Sequence, residues 1–196
     1  MSETPTNSIQ PTDREAWRTW LVENHKSTAG IWLILYKKAS GKQTFTFNEA
    51  VEEALCFGWI DSLPRKLDAD RSMLYFALRK PGSGWSRVNK ERIARMEAAG
   101  KMMPAGLAKI NAAKADGTWT KLDAVENLEI PDDLSEAFDR YPSARENFEA
   151  FPRSVKRGIL EWILNAKRPG TRSKRIEETA SLAAKNERAN QWPKKK

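Results

Sequence analysis

The amino-acid sequence predicts an α+β fold: a small, mostly antiparallel three-stranded sheet packed with helices, followed by an all-helical C-terminal unit. Three short runs of β-forming residues lie in the first 80 residues: Ile31–Tyr36, a run that begins at Trp59, and Met73–Leu78. From Ser86 onward the apolar residues recur at helical spacing. Strands that precede helices, rather than alternate with them, are typical of the α+β class.

Changes in composition along the chain predict its domain limits. Residues 1–11 are polar and contain two prolines, which is typical of a disordered tail. The remaining segments are an α+β domain at 12–120, a polar and irregular connector at 121–130, a helical module at 131–190 and a basic tail at 191–196.

Helix ends are marked by capping patterns. Thr12–Glu15, Thr46–Glu49 and Ser143–Glu146 each have the spacing of a capping box, in which a hydroxyl and a carboxylate satisfy the first free N–H groups. Ser86 and Thr171 are predicted N-caps of two further helices.

The chain contains one cysteine, Cys56, and one histidine, His25. One cysteine cannot form an intramolecular disulfide, and one of each residue type is too few for a zinc site of Cys and His ligands. We therefore expect no metal and no cofactor, and the sequence indicates no catalytic residue. Cys56 is predicted near a helix C-terminus, where the dipole disfavours a thiolate, so a small buried apolar side chain is the better interpretation.

The N-terminal residues lack the basic and apolar segments of a secretory signal, and no apolar run reaches about 18 residues. We therefore expect a soluble cytoplasmic protein without a membrane span. The sequence leaves the oligomeric state open.

Positive charge is concentrated near the C-terminus. Residues 151–196 contain 13 Lys and Arg against 4 Asp and Glu, a balance of +9 within a total of +8. Such asymmetry is typical either of nucleic-acid or polyanion binding or of ordinary solvated helix faces. The candidate anion-binding residues surround a predicted break at Pro169–Gly170 and are Lys167, Arg168, Arg172, Lys174 and Arg175.

A second candidate site follows from the eight tryptophans and the predicted strand ends. Indole walls, a basic pair and a helix N-terminus would together suit a small, flat or anionic ligand. The alternative is that the tryptophans belong to the core, that an Asp–Arg pair is structural and that the serine only caps a helix. The candidate ligand-binding residues are Trp59, Asp61, Arg79, Lys80, Trp85, Ser86 and Asn89.

Several motifs carry a family resemblance. The segments Trp32–Lys38, Glu53–Asp61 (with the phrase ALCFGWID), Trp85-Ser86-x-x-Asn89 and Met103–Gly106 resemble the YdeI/OmdA family, described as bacteriocin-protection, YdeI or OmpD-associated. The resemblance extends over about residues 14–190. It implies a role in tolerance of antimicrobial peptides or in envelope stress, and it implies no reaction or ligand.

The stretch from Trp162 to Arg175 is similar to the terminal helical module of that family and also to DUF1801 proteins. We expect a non-enzymatic binding protein with a tryptophan-lined, basic-rimmed cleft. The alternatives are nucleic-acid or polyanion binding through the basic C-terminal helices, and an enzyme of unknown reaction that uses the Cys56 and Asp61 region.

Overall fold

The computed structural model describes residues 4–191. The chain divides into two compact units, Met1–Lys121 and Leu122–Lys196. Apart from Gln191, the predicted basic tail lies outside the described residues.

The first unit contains four strands and four α-helices among its described residues. In chain order they are β1 (Ser8–Ile9), α1 (Arg14–Asn24), β2 (Gly30–Tyr36), α2 (Phe47–Cys56), β3 (Trp59–Lys66), β4 (Arg71–Leu78), α3 (Arg87–Ala98) and α4 (Pro104–Ala115), with a 3-10 turn at Lys38–Ser40.

The sheet has the order β1-β2-β4-β3, in which β2 and β3 both pair antiparallel with β4. The α+β class is confirmed, but the count of three strands is wrong. Ser8 and Ile9 pair in parallel with Trp32 and Leu33, so this part of the predicted disordered tail forms a fourth strand. A two-residue strand is too short to leave a periodic pattern in the sequence.

Strand β3 lies at the edge of the sheet and contains Pro64, which has no N–H to donate. The pairing with β4 shifts register between Asp61 and Pro64. Pro64 therefore lies at a sheet edge, where a missing N–H donor is tolerated.

Helices α1 and α2 pack against one face of the sheet through a tryptophan-rich core. Trp17 and Trp59 are fully buried, and each indole N–H has an acceptor: Trp17 donates to the Ala50 carbonyl at 3.0 Å, and Trp59 donates to the His25 carbonyl at 3.2 Å. Between the two helices, the buried carboxylate of Glu53 accepts from Arg14 at 2.6 Å. Paired and hydrogen-bonded in this way, a buried charge is tolerated.

The helix caps follow the sequence only in part. The capping box of Thr46 and Glu49 is confirmed, and Ser86 caps α3 by accepting from the Asn89 amide. The predicted box at Thr12 is wrong by one residue: Asp13 accepts from the Ala16 amide at 2.8 Å. A carboxylate is the better acceptor at the positive end of a helix.

Helix α4 approaches the C-terminal end of α2 unusually closely. A Cβ placed on Gly106 would lie 2.3 Å from the Cys56 carbonyl oxygen, and the Met103 amide donates to that same oxygen at 3.1 Å. Gly58, at φ +75°, ends α2 in the left-handed region, and a Cβ there would lie 2.8 Å from Cγ of Lys109. Only glycine permits these approaches, and they place Lys109 beside the end of the sheet.

Among the described residues, the second unit consists of helices and the turns between them. Its helices are α5 (Asp123–Asn127), α6 (Asp132–Asp139), α7 (Ala144–Ala150), α8 (Arg153–Leu164) and α9 (Pro169–Ala184). Their apolar faces form one core that includes Leu134, Phe138, Phe148, Ile159 and Ile163.

Three expectations for this unit are corrected. The segment 121–130 is not irregular, because it forms α5 and buries Val125 in the core. Ser143 does not cap α7, since its φ of 62° leaves the side chain without a capping bond. Helix α9 begins at Pro169, not after it: proline at the first helical position needs no N–H partner, so Thr171 is not the cap.

Candidate anion pocket in the first unit

A small pocket of about 60 Å³ lies where β4 ends. Residues 79–83 and Trp85 line one side, and Lys109 and Ala113 of α4 line another. Asp116 and Thr118, which follow α4, complete the wall. Three of these side chains are cationic and one is anionic, so the pocket carries a net positive charge.

Arg79 is the central side chain of the pocket. It is only 6% exposed, and its guanidinium carbon lies 3.7 Å from the centroid of the Trp85 ring. One terminal nitrogen donates to the carbonyls of Ser83 and Gly84, whereas the buried Nε has no hydrogen-bond partner among residues 4–191. A buried donor without an acceptor is costly, so Arg79 is a candidate for contact with a ligand.

The charge of Arg79 is not balanced by a direct ion pair with a carboxylate within the described chain. Burial lowers the pKa of Arg79 to about 10, and the nearby charge of Asp61 opposes this shift only in part. Burial likewise raises the pKa of Asp61, opposed by Arg92 and Arg79. Arg79 remains protonated at neutral pH, and an anion in the pocket would stabilise its charge.

The loop between Lys80 and Trp85 adds backbone donors. The Ser83 hydroxyl donates to the Lys80 carbonyl at 2.8 Å, which closes a turn with Gly82 at φ +76°. The amides of Gly82 and Gly84 donate no hydrogen bond to any described residue, whereas the Ser83 amide closes the turn at residues 81–82. Free amides in a glycine-containing turn favour anions.

The seven residues predicted as one ligand site are distributed differently. Arg79, Lys80 and Trp85 line the pocket. Trp59 does not, because it is fully buried and packs edge-on against Trp20 at 6.0 Å.

The other three residues lie outside the pocket lining. Ser86 caps α3, and Asn89 accepts from Arg92 at 2.7 Å. Asp61 acts on Arg79 through charge alone. The expected cleft that included Trp59 is therefore corrected to a smaller site that is centred on Arg79.

The prediction missed the polar lining residues from α4 and the turn after it, which are Lys109, Asp116 and Thr118. It also missed Trp119, which lies beside the pocket and outside its lining. Asp116 accepts from the Thr118 amide at 2.9 Å, and these hydrogen bonds lower the pKa of its carboxyl group. Trp119 lies 5.1 Å from Trp85. In the sequence, only Gly58 and Gly106 indicate that α4 can approach the C-terminal end of α2 so closely.

Two of the five residues in the second candidate cluster are engaged within their own unit. Arg172 donates twice to Asp133, at 2.6 and 2.8 Å, and this pair raises the pKa of Arg172 and lowers that of Asp133. Arg175 lies 4.8 Å from the Trp162 ring and donates to the Trp162 carbonyl. Lys167, Arg168 and Lys174 are exposed.

The balance of charge also changes when it is counted by unit. Residues 122–196 contain 15 basic and 13 acidic side chains, a balance of +2, because residues 122–150 offset the basic helices that follow. Residues 79–121 contain 10 basic and 3 acidic side chains, a balance of +7. The dense positive charge thus belongs to the segment that builds the pocket.

Cys56 lies outside the pocket lining and is fully buried, and its thiol donates to the Glu52 carbonyl at 3.3 Å. Burial raises the pKa of this thiol to about 11, so it is protonated at neutral pH. Over the described ranges, no group of three His, Cys, Asp or Glu side chains could hold a metal ion. None of the helices in residues 4–191 has the length and apolar character needed to cross a bilayer.

Comparison with known proteins assigns the two units to different family models. Residues 9–109 match a family described as a domain of unknown function, DUF8412, and residues 127–186 match the OmdA family, described as Bacteriocin-protection, YdeI or OmpD-Associated. Neither the curated proteins nor the solved structures that were compared gave a match.

The resemblance to the YdeI/OmdA family thus holds for the C-terminal unit, whereas the motifs between Trp32 and Gly106 lie in the segment that matches DUF8412. The loop at residues 79–85 and Lys109 fall inside that same segment. Because this match spans more than half of the 196 residues, the chain belongs to the DUF8412 family, and its C-terminal unit carries an OmdA-type segment.

Proposed function

We propose that this protein is a non-enzymatic binding protein whose first unit holds a small oxyanion, such as the phosphate group of a ligand, in the Arg79 pocket. The observation that carries the proposal is the buried guanidinium of Arg79, which lines a pocket, lacks a direct carboxylate partner and leaves Nε without an acceptor. A buried, unpaired charge costs several kcal/mol, and an anionic ligand would offset that cost.

The size of the pocket limits what enters it. Ligand sites for whole small molecules measure roughly 300–1,000 Å³, and one water needs about 10–15 Å³. A pocket of about 60 Å³ accommodates a few waters or one compact oxyanion group. The ligand therefore enters by a single phosphate, sulfate or carboxylate group.

Phosphate fits the donors best. The guanidinium of Arg79 offers the N–H groups that the Ser83 and Gly84 carbonyls leave free. The amide of Gly82 offers a further donor, and Lys80 and Lys109 offer charge. A doubly charged tetrahedral anion uses more of these donors than a carboxylate does.

The biological role that we propose is bacteriocin tolerance, and it rests on the name of the family that matches the C-terminal unit. The similarity of the Trp162–Arg175 stretch to DUF1801 proteins and the cytoplasmic location stay predictions. We place anion binding in the first unit and not in α8 and α9, because Arg172 and Arg175 are engaged there. Cys56 offers no thiolate to an enzymatic alternative.

Isothermal titration with inorganic phosphate and pyrophosphate tests the proposal. Replacing Arg79 by Met removes a charge-assisted interaction worth about 1.5–3 kcal/mol, which corresponds to an affinity roughly 10- to 100-fold weaker. Lys109→Met should weaken binding less, since Lys109 is half-exposed. Lys66→Met, at the opposite end of β3, is the matched control and should bind like the wild type.

Circular dichroism of each variant shows whether it is folded. If folded Arg79→Met and Lys109→Met both bind phosphate like the wild type, the pocket is not the site. Absence of phosphate binding by the wild-type protein at millimolar concentration would also refute the proposal.

A further inference from the structure

The surface next to the pocket combines an indole with exposed cations. Trp119 is half-buried and contacts Trp85 on one side. The ammonium groups of Lys90 and Lys114 each lie 5.3 Å from the centroid of its ring. Lys114 is exposed on α4 outside the pocket lining, and it places a cation at Trp119 while Lys109 places one in the pocket.

From this arrangement we infer that the pocket is one phosphate position of a longer surface that binds single-stranded nucleic acid, an inference that rests on the proposed function. The pocket admits only one oxyanion group, yet the segment 79–121 carries a balance of +7. A chain of regularly spaced phosphates would place one phosphate in the pocket and its neighbours beside the other cations of this segment. Lys80, Lys109 and Lys114 would each meet a backbone phosphate near the one held by Arg79.

Trp119 favours a single strand over a duplex. Surfaces that bind single strands combine a basic path for the backbone with aromatic rings on which unpaired bases stack. Bases in a duplex already stack on each other, so they offer no free face to the indole. An acidic peptide would satisfy the lysines but has no flat ring to place against Trp119.

The carboxylate of Asp116 opposes this binding at the rim of the pocket. Its Oδ1 accepts two hydrogen bonds from Thr118, one from the amide and one from the hydroxyl, which hold the carboxylate in position and partly satisfy its charge. The surrounding cations outnumber it, so a polyanion still gains on approach. This arrangement predicts that a single acidic side chain limits, but does not prevent, phosphate entry.

Fluorescence anisotropy of a labelled oligothymidylate of about 15 nucleotides tests the inference, with the full-length protein. With about four phosphate contacts, affinity should fall roughly 50-fold between about 50 and 200 mM salt. Inorganic phosphate should compete, and a duplex of the same length should bind at least about tenfold more weakly.

Two variants separate this surface from the pocket. Lys114→Met and Trp119→Leu should each weaken oligonucleotide binding by about five- to tenfold. Lys114→Met should change the affinity for inorganic phosphate by less than about twofold. Trp119→Leu, which removes the ring packed on Trp85, should weaken phosphate binding less than it weakens oligonucleotide binding. Lys66→Met should leave both affinities unchanged. If Trp119→Leu does not fold, Lys114→Met alone decides the outcome.

The outcomes distinguish the two proposals. If phosphate binds but the oligonucleotide binds no better than phosphate, the inference fails and the proposed function stands. The inference also fails if the duplex binds as tightly as the single strand, or if Lys114→Met has no effect. If neither phosphate nor oligonucleotide binds, both proposals fail.

Discussion

The close approach of α4 to α2 predicts that replacing Gly106 by Ala destabilises the first unit. The added Cβ would lie 2.3 Å from the Cys56 carbonyl oxygen, 2.7 Å from the Cys56 carbonyl carbon and 2.8 Å from the Leu55 carbonyl oxygen. All three atoms belong to backbone, which cannot rotate away as a side chain can. Ordinary contact begins at 3.4 Å, so α4 must move by about 3.4 − 2.3 = 1.1 Å.

The magnitude follows from three contributions. Overpacking a rigid contact costs about 1–3 kcal/mol, and weakening the hydrogen bond from the Met103 amide to Cys56 costs about 1 kcal/mol. Alanine is a better helix former than glycine, and this offsets the loss of stability by at most about 1 kcal/mol. We expect a net loss of about 1–3 kcal/mol in the free energy of unfolding, or a melting temperature lower by about 4–12 °C.

Differential scanning calorimetry and urea denaturation measure this loss, and Gly158→Ala is the control. Gly158 also lies inside a helix, but a Cβ there would have no neighbour within 4 Å. That substitution should therefore stabilise the protein by up to about 1 kcal/mol. Phosphate affinity should fall in Gly106→Ala alone, because the shift of α4 carries Lys109 away from the pocket.

A Gly106→Ala protein that is as stable as the wild type would refute this reasoning. Equal destabilisation by Gly158→Ala would refute it too, since the loss could then not come from contact between α4 and α2.

Three further predictions follow from the titrating groups. Cys56 is fully buried, and burial raises its pKa to about 11. It should therefore react with a thiol reagent only as fast as the protein unfolds. Rapid labelling of the folded protein would contradict this placement of Cys56. Arg172 lowers the pKa of Asp133 in the folded protein. The ion pair should therefore stabilise the fold fully at a pH above about 3.9, the pKa of Asp in an unfolded chain. Its contribution should be lost as the pH falls through the lower pKa of the folded state. Because Asp133 is partly exposed, Asp133→Asn should cost less than about 1 kcal/mol at pH 7 and nothing measurable near pH 2, as followed by urea denaturation. Asp116→Asn should strengthen phosphate binding by about two- to fivefold in calorimetric titration, because it removes the negative charge at the pocket; unchanged or weaker binding would exclude Asp116 from its wall.

The elements with strong local signals could be predicted from sequence. The runs that became β2 and β4 are long, apolar and β-branched or aromatic, and Thr46 with Glu49 marks the start of α2 without help from distant residues. Strand β1 could not be predicted, because two residues form a strand only when β2 offers its edge. Segment 121–130 has a polar composition, but Val125 is buried in the apolar core that α6 and α8 complete.

The candidate site shows the same limit. Arg79 and Trp85 could be paired in advance because only a short glycine-containing loop separates them. The prediction that Trp59 lines a ligand site was wrong, because an indole in a sequence motif fits a ligand site as well as it fits a core position. Only the tertiary fold shows that Trp59 packs against Trp20. Lys109 is more than twenty residues away from the loop, and it reaches the pocket only through the contact that Gly106 permits.

The balance of charge along the chain does not show which cations are paired. The last 46 residues carry a balance of +9, but α8 and α9 fold against acidic helices of the same unit, where Asp133 holds Arg172. The net charge of a segment indicates a binding surface only after the fold shows which carboxylates face which cations.

The most direct measurement is a crystal structure of the protein grown or soaked with phosphate. The account predicts a tetrahedral anion in the pocket, with oxygens about 2.7–3.2 Å from the guanidinium of Arg79 and from an amide of the loop at residues 82–84. It would be contradicted by a pocket that holds only water while phosphate binds elsewhere, or by an Arg79 whose Nε donates to an acceptor from the protein itself.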